Sequence, residues 1–288
     1  MNFADALIES CERKRSRVVV GLDPRADQLP AALKGGNLAE RYVAFCRGII
    51  ESVREFVVAA KPQVAFFEEL GVEGMRAFRE VCAAARAAGL IVIADVKRGD
   101  IADTAEAYAR AYLEEFPCDA VTLNPYLGRD SVEPFLKRCR DHGRGVFLLA
   151  KTSNPSSADF QDLQVGGEPL YLRVAKAARA WGDGLRGSRG YSSVGIVVGA
   201  THPAQSAELR KACPDLLFLV PGYGAQGAKA ADVAAAFDAK GHGAVVNASR
   251  SILFAWRKGG YNEAQWAQAA ADAARTMRDE IQAALGAR

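Results

Sequence analysis

Eight short runs of β-branched and aliphatic residues recur along the 288-residue chain, each followed by a polar or glycine-rich turn and an alanine-rich stretch. They are RVVVGLD (17–23), VAAKPQVAFFE (58–68), LIVIADVK (90–97), AVTLNPY (120–126), GVFLLAKT (145–152), VGIVVGA (194–200), LLFLVPG (216–222) and GAVVNASR (243–250). The runs are nearly continuously apolar, as a strand covered on both faces requires. Between them, segments such as MRAFREVCAAARAAG (75–89) and TAEAYARAYLEEF (104–116) have helical spacing and a glycine or proline stop. Eight strand–helix units in about 250 residues predict an α/β fold, a (β/α)8 TIM barrel. The alternative is an open doubly wound sheet, but no Gly-x-Gly-x-x-Gly follows the first run.

No linker divides the sequence, so 1–288 reads as a single barrel domain with an extended loop-helix insertion at 153–193. A helix near 168–182 is expected inside that piece, and a loop so long is commonly a lid or a subunit contact. The net charge of +3 is too balanced for a nucleic-acid footprint. The basic run Arg13-Lys14-Arg15-Ser16-Arg17 reads as the solvated end of a first helix. No apolar stretch is long enough to span a membrane, and the start MNFADALIESCERKRSR carries acids too early for a secretory leader. Six scattered cysteines without a Cys-x-x-Cys pair point to reduced thiols in a cytoplasmic protein. His142, His202 and His242 are far apart, offering neither metal-ligand spacing nor an obvious general base.

Barrel active sites lie at the carboxyl ends of the strands, so the residues at those ends belong together. Asp23 ends the first run, Lys61 lies in the second, Asp95 and Lys97 end the third, and Asn124 ends the fourth. Lys151, Thr152 and Ser153 close the fifth. Asp95 and Lys97 are two apart and project from the same side of a strand. A structural ion pair is one reading of them, although buried pairs are costly to desolvate and rarely outperform apolar residues. Two more charges on neighbouring strands favour a site. Asp100 falls where the next helix begins and reads equally as its N-cap.

At the other end of the order, PGYGAQG (221–227) brings glycines around Gln226, and NASRSI (247–252) sets Arg250 just after the eighth run. Loops after the seventh and eighth strands commonly hold phosphate, and arginine suits an oxyanion. Two ordinary turns and a surface arginine are the plainer reading. A phosphorylated small molecule with its reacting end near the Asp/Lys cluster fits the whole set. A lysine flanked by acids is poorly suited to Schiff-base formation, which needs the neutral amine, and well suited to giving a proton to a carbanion.

The stretch DVKRGDIADT (95–104) resembles the Asp-x-Lys-x-x-Asp-Ile-x-x-Thr signature of the orotidine 5'-phosphate decarboxylase family. GLDP, Lys61, the serine after the fifth run, GAQG and SRSI follow the family's order along nearly the whole barrel, and the length resembles its longer bacterial branch. The resemblance implies decarboxylation of orotidine 5'-phosphate to uridine 5'-phosphate in pyrimidine biosynthesis, with no cofactor and no metal. It implies that Lys97 protonates the pyrimidine, Asp95 lies beside the substrate carboxylate, Lys61 bonds ribose and Asp95, and Asp23 binds a ribose hydroxyl. Ser153 would contact the pyrimidine, and Gln226 and Arg250 the phosphate. Asp100, Ile101 and Thr104 would reach the site of a partner subunit, which implies a homodimer with shared active sites. Magnesium-dependent sugar-phosphate decarboxylases of the same superfamily are the rival; they carry an acid where Lys61 stands, unless Glu68 or Glu69 shifts inward. A phosphate-binding barrel without catalysis is the other.

Overall fold

In the computed structural model, residues 1–224 and 227–287 are described. The chain opens with α1 (Phe3–Lys14), β1 (Val18–Leu22), α2 (Leu38–Val53), β2 (Ala59–Pro62), α3 (Ala65–Glu68) and α4 (Gly71–Ala87). Next come β3 (Ile91–Arg98), α5 (Ala102–Arg110), β4 (Ala120–Leu123), α6 (Arg129–His142), β5 (Gly145–Lys151) and α7 (Ala158–Gln161). A two-stranded hairpin, β6 (Gln164–Val165) and β7 (Glu168–Pro169), leads into α8 (Leu170–Trp181) and β8 (Val194–Val198). The chain ends with α9 (Pro203–Ala212), β9 (Leu217–Pro221), α10 (Ala230–Ala234), β10 (Ala244–Ala248), α11 (Arg250–Leu253) and α12 (Trp266–Gly286).

Among the described residues, eight parallel strands close in the order β1-β10-β9-β8-β5-β4-β3-β2. The expected (β/α)8 barrel is therefore what forms. Each run but the third is shorter as a strand than as an apolar stretch, and its last residues enter the mouth loops. In the second run, Ala65–Glu68 coil into α3.

Strand periodicity sorts the side chains into two cores. Val18, Val20 and Leu22 face outward and pack with Phe45, Ile49 and Ile50 of α2. Val19, Ala59, Ile93, Ala120, Phe147, Leu217 and Val245 face inward. The inner core is completed from below by α1, whose Phe3, Leu7 and Ile8 are buried with those residues. Phe3 meets Phe147 edge-on, with ring centroids 5.9 Å apart. Asn2 caps α1 by accepting from the Ala4 and Asp5 N–H groups, and Arg15 ends it in the left-handed region. The basic run thus is a helix end, as its charge pattern predicts.

Candidate active site

One layer above the inner core, parity along the strands brings Gly21, Lys61, Asp95, Thr122, Leu149, Val197, Leu219 and Asn247 into a ring. Its two halves differ in chemistry. Lys61, Asp95 and Thr122 stand on adjacent strands, and Leu149, Val197 and Leu219 form an apolar wall opposite. Both halves line a cavity of about 440 Å³, closed above by Lys97, Thr152, Ser153, Asn154, Gln161 and Pro221.

The opposite charges at the end of β3 are arranged by a break in the ladder. Ala94 pairs with Val121, but the next paired residue is Arg98, opposite Leu123, so β3 arches over residues 95–97. Lys97 takes φ +46°, a left-handed conformation that costs a non-glycine residue about 1–2 kcal/mol. The Thr122 hydroxyl stitches the arch: its Oγ1 accepts the N–H groups of Val96 and Lys97, each at 3.0 Å. The same hydroxyl donates to Asp95 Oδ1 at 3.1 Å. Lys97 Nζ reaches Asp95 Oδ1 at 2.5 Å, and Lys61 Nζ reaches Oδ2 at 2.6 Å. One carboxylate thus holds two ammonium groups and a hydroxyl.

Asp95 and Lys61 are buried, with 7% and 4% of their surface exposed, whereas the Lys97 side chain is half-exposed towards the mouth. Burial pushes the Asp95 carboxyl upward, but Lys61 and then Lys97 pull harder, and the net result lies well below the usual carboxylate range. Burial lowers Lys61, yet Asp95 and then Asp23 outweigh it and raise the ammonium above its ordinary value. Every charge in this cluster has an opposite charge beside it, the condition for tolerating ions in so dry a place.

Asp23 follows β1 directly, and its Oδ1 is buried without a hydrogen-bond partner among the described residues. Ser153 lines the cavity, as expected. Arg250 begins α11 immediately beyond β10, the position assigned to it. Gln226 lies outside the described residues. Asp100, Ile101 and Thr104 do not reach this cavity; they face outward beside the mouth, with Ile101 56% exposed. Asp100 is not the N-cap of α5: that place falls to Ile101, and Asp100 Oδ1 accepts only the Ile101 N–H, at 2.9 Å. Lys151 is also absent from the cavity, because a register shift after Leu149 turns it outward. Asn124 caps the turn after β4 by accepting from the Tyr126 N–H. Glu68 pairs with Arg98, and neither Glu68 nor Glu69 lines the cavity.

Three contributors escaped the sequence reading. Thr122 stands two residues after the interior Ala120, a signal that parity within AVTL carries. Asn247 stands two after the interior Val245; its side-chain Oδ1 is buried and unpartnered among the described residues. A side chain at Gly21 would come within 3.1 Å of that oxygen and 1.9 Å of Ser249 Oγ, so glycine keeps this corner open. Gln161 has no local signal, since it reaches the cavity from the insertion. Among the described residues, no three His, Cys, Asp or Glu side chains converge as a metal site would need.

These features define a (β/α)8 barrel with a Lys–Asp–Lys cluster at its strand tops. The chain belongs to the orotidine 5'-phosphate decarboxylase / HUMPS family, whose sequence profile matches residues 16–259. It is 47% identical to orotidine 5'-phosphate decarboxylase of Roseiflexus castenholzii, with all of both chains covered. It is 45% identical to that of Rhodopirellula baltica over 98% of this chain and 99% of the relative. Its fold matches the solved OMP decarboxylase of Leishmania donovani with a TM-score of 0.81 and 38% identity, covering 99% of this chain and all of the other.

Proposed function

We propose that this protein decarboxylates orotidine 5'-phosphate to uridine 5'-phosphate, the terminal decarboxylation of pyrimidine nucleotide synthesis, without metal or cofactor. The observation that carries the reading is the meeting of Lys61 and Lys97 on one buried carboxylate, Asp95, inside a nucleotide-sized cavity. The bond between pyrimidine carbon 6 and its carboxylate breaks, carbon dioxide departs, and the electron pair stays on the ring. The half-exposed Lys97 ammonium gives its proton to that carbon and regains one from solvent. Its charge opposes the developing negative charge, an electrostatic contribution that grows along the reaction. Asp95 stays ionised and lies where the substrate carboxylate must come, so departure of neutral carbon dioxide relieves a like-charge contact.

In this reading Lys61 and Asp23 take the ribose hydroxyls, Ser153 the pyrimidine, and Gln226 and Arg250 the phosphate. The pairing of the apolar wall with the base and the polar arc with the sugar gives the cavity its polarity. Asp100, Ile101 and Thr104 serve the neighbouring site of a homodimer. The support is an apolar patch at that place: exposed Ile101, Tyr126 and Leu127 sit on loops joined by the Asn124 N–H donating to Arg98 O at 2.8 Å. A cytoplasmic setting accords with the six cysteines, all buried and unbridged.

The test follows the loss of orotidine 5'-phosphate absorbance in excess EDTA. Undiminished turnover is expected. No turnover, or turnover restored only by magnesium, overturns the reading.

A further inference from the structure

The insertion after β5 reaches back to the top of that strand through its side chains. Lys151, fully buried at the end of β5, points into the insertion. Its Nζ donates to Asp162 Oδ1 at 2.7 Å and to Ser157 Oγ at 3.2 Å, and lies 5.8 Å from the centre of the Tyr171 ring. The next residue, Thr152, is held at every polar atom. Its N–H donates to Gln161 Oε1 at 2.9 Å, and its Oγ1 accepts from Gln161 Nε2 at 2.8 Å. The same Oγ1 donates to Asn154 Oδ1 at 2.6 Å. The Thr152 carbonyl lies 3.1 Å from His202 Nε2; a carbonyl only accepts, so that nitrogen carries the proton. Gly199 lets Ser153 approach closely, because a Cβ there would come within 2.9 Å of the Ser153 backbone and Cβ.

We infer that Gln161 is a positioning residue for base recognition: through Thr152 it fixes where Ser153 and Asn154 face the cavity. The inference rests on the proposed nucleotide reading and adds a role for the insertion. α7 and its neighbours act as a brace that reaches back over the strand top, with the Lys151–Asp162 pair as the fixed point. A loop with one residue bonded at three atoms has little freedom left, so the entropy of ordering it is met before ligand arrives. Thr152, Ser153, Asn154 and Gln161 line the cavity together with Leu149 and Val197 of the apolar wall, the side given to the base, so the loss is expected to fall on the base.

The experiment compares two ligands by calorimetry, uridine 5'-monophosphate and ribose 5-phosphate, which lacks the base. Gln161→Ala is expected to weaken the nucleotide about tenfold and leave ribose 5-phosphate within about twofold. Gln161→Glu, which still accepts from the Thr152 N–H, is expected to fall between it and the wild type. Adding Thr152→Val to Gln161→Ala is expected to change nucleotide affinity by no more than about twofold beyond the single variant, because Gln161 acts through Thr152. An unmoved nucleotide affinity, an equal loss for both ligands, or additive losses in the double variant overturns the inference. If Gln161→Ala does not fold, Gln161→Glu against wild type decides by the same ligand pattern. Failure of the wild type to bind the nucleotide overturns the functional reading as well; wild-type binding with an unmoved Gln161 variant overturns this inference alone.

Discussion

The hydroxyl of Thr122 donates to Asp95 while accepting two successive backbone N–H groups from the arch that carries Lys97. A single side chain on β4 therefore sets both the orientation of the carboxylate and the backbone geometry of the lysine. Thr122→Val removes the acceptor and leaves polar groups unpaired at a cost of about 1–3 kcal/mol each where buried. We expect kcat to fall between about tenfold and a hundredfold, with most of it restored by Thr122→Ser. Wild-type turnover in the valine variant would show that the arch holds itself.

Lys61 and Asp95 make a dry pair, and deleting Lys61 leaves the buried carboxylate with Lys97 and Thr122 alone. Lys61→Met is expected to destabilise the fold by about 3–5 kcal/mol, read from urea unfolding. Adding Asp95→Asn should recover part of that loss without restoring turnover. A single variant as stable as the wild type would mean that Lys97 and water suffice to hold Asp95.

The depressed Asp95 carboxyl has a definite signature. A group whose folded value lies below its unfolded value of about 3.9 adds stability that is present above that pH and lost as pH falls through the folded value. In carboxyl carbon-13 spectra, Asp95 should keep its ionised shift from neutrality down to about pH 3. In Lys61→Met the same signal should titrate at higher pH, since burial then acts against one cation fewer. An Asp95 titration near pH 4 in the wild type would contradict the ion cluster.

The proposed sharing of sites between two subunits is tested by subunit mixing. Neither Asp100→Ala nor Lys97→Ala alone should turn over well, whereas exchanged hybrids should regain activity in sites that receive both native residues. No recovery after demonstrated exchange would put Asp100 outside the neighbouring site.

The barrel was legible because both faces of its strands are covered, which writes eight solid apolar runs into the sequence. The Asp95–Lys97 pairing was legible for an incomplete reason. Strand alternation places both residues on one side, but the strand is irregular there, and a left-handed Lys97 over Thr122 brings the amine to Asp95. Lys151 misled for the same cause: one register shift in β5 turned it from the mouth into the insertion. Gln161 was illegible because its partner, Thr152, is fixed by the path of the chain between them. Short-range periodicity describes regular strands, and these residues act where regularity ends.

The first helix gives the vessel a floor. Phe3 and Leu7 fill the lower end beneath Phe147 and Leu217, so the cavity has a solid base. Whatever reacts at Asp95 and Lys97 comes and goes by the strand tops, since the first helix stops the other end.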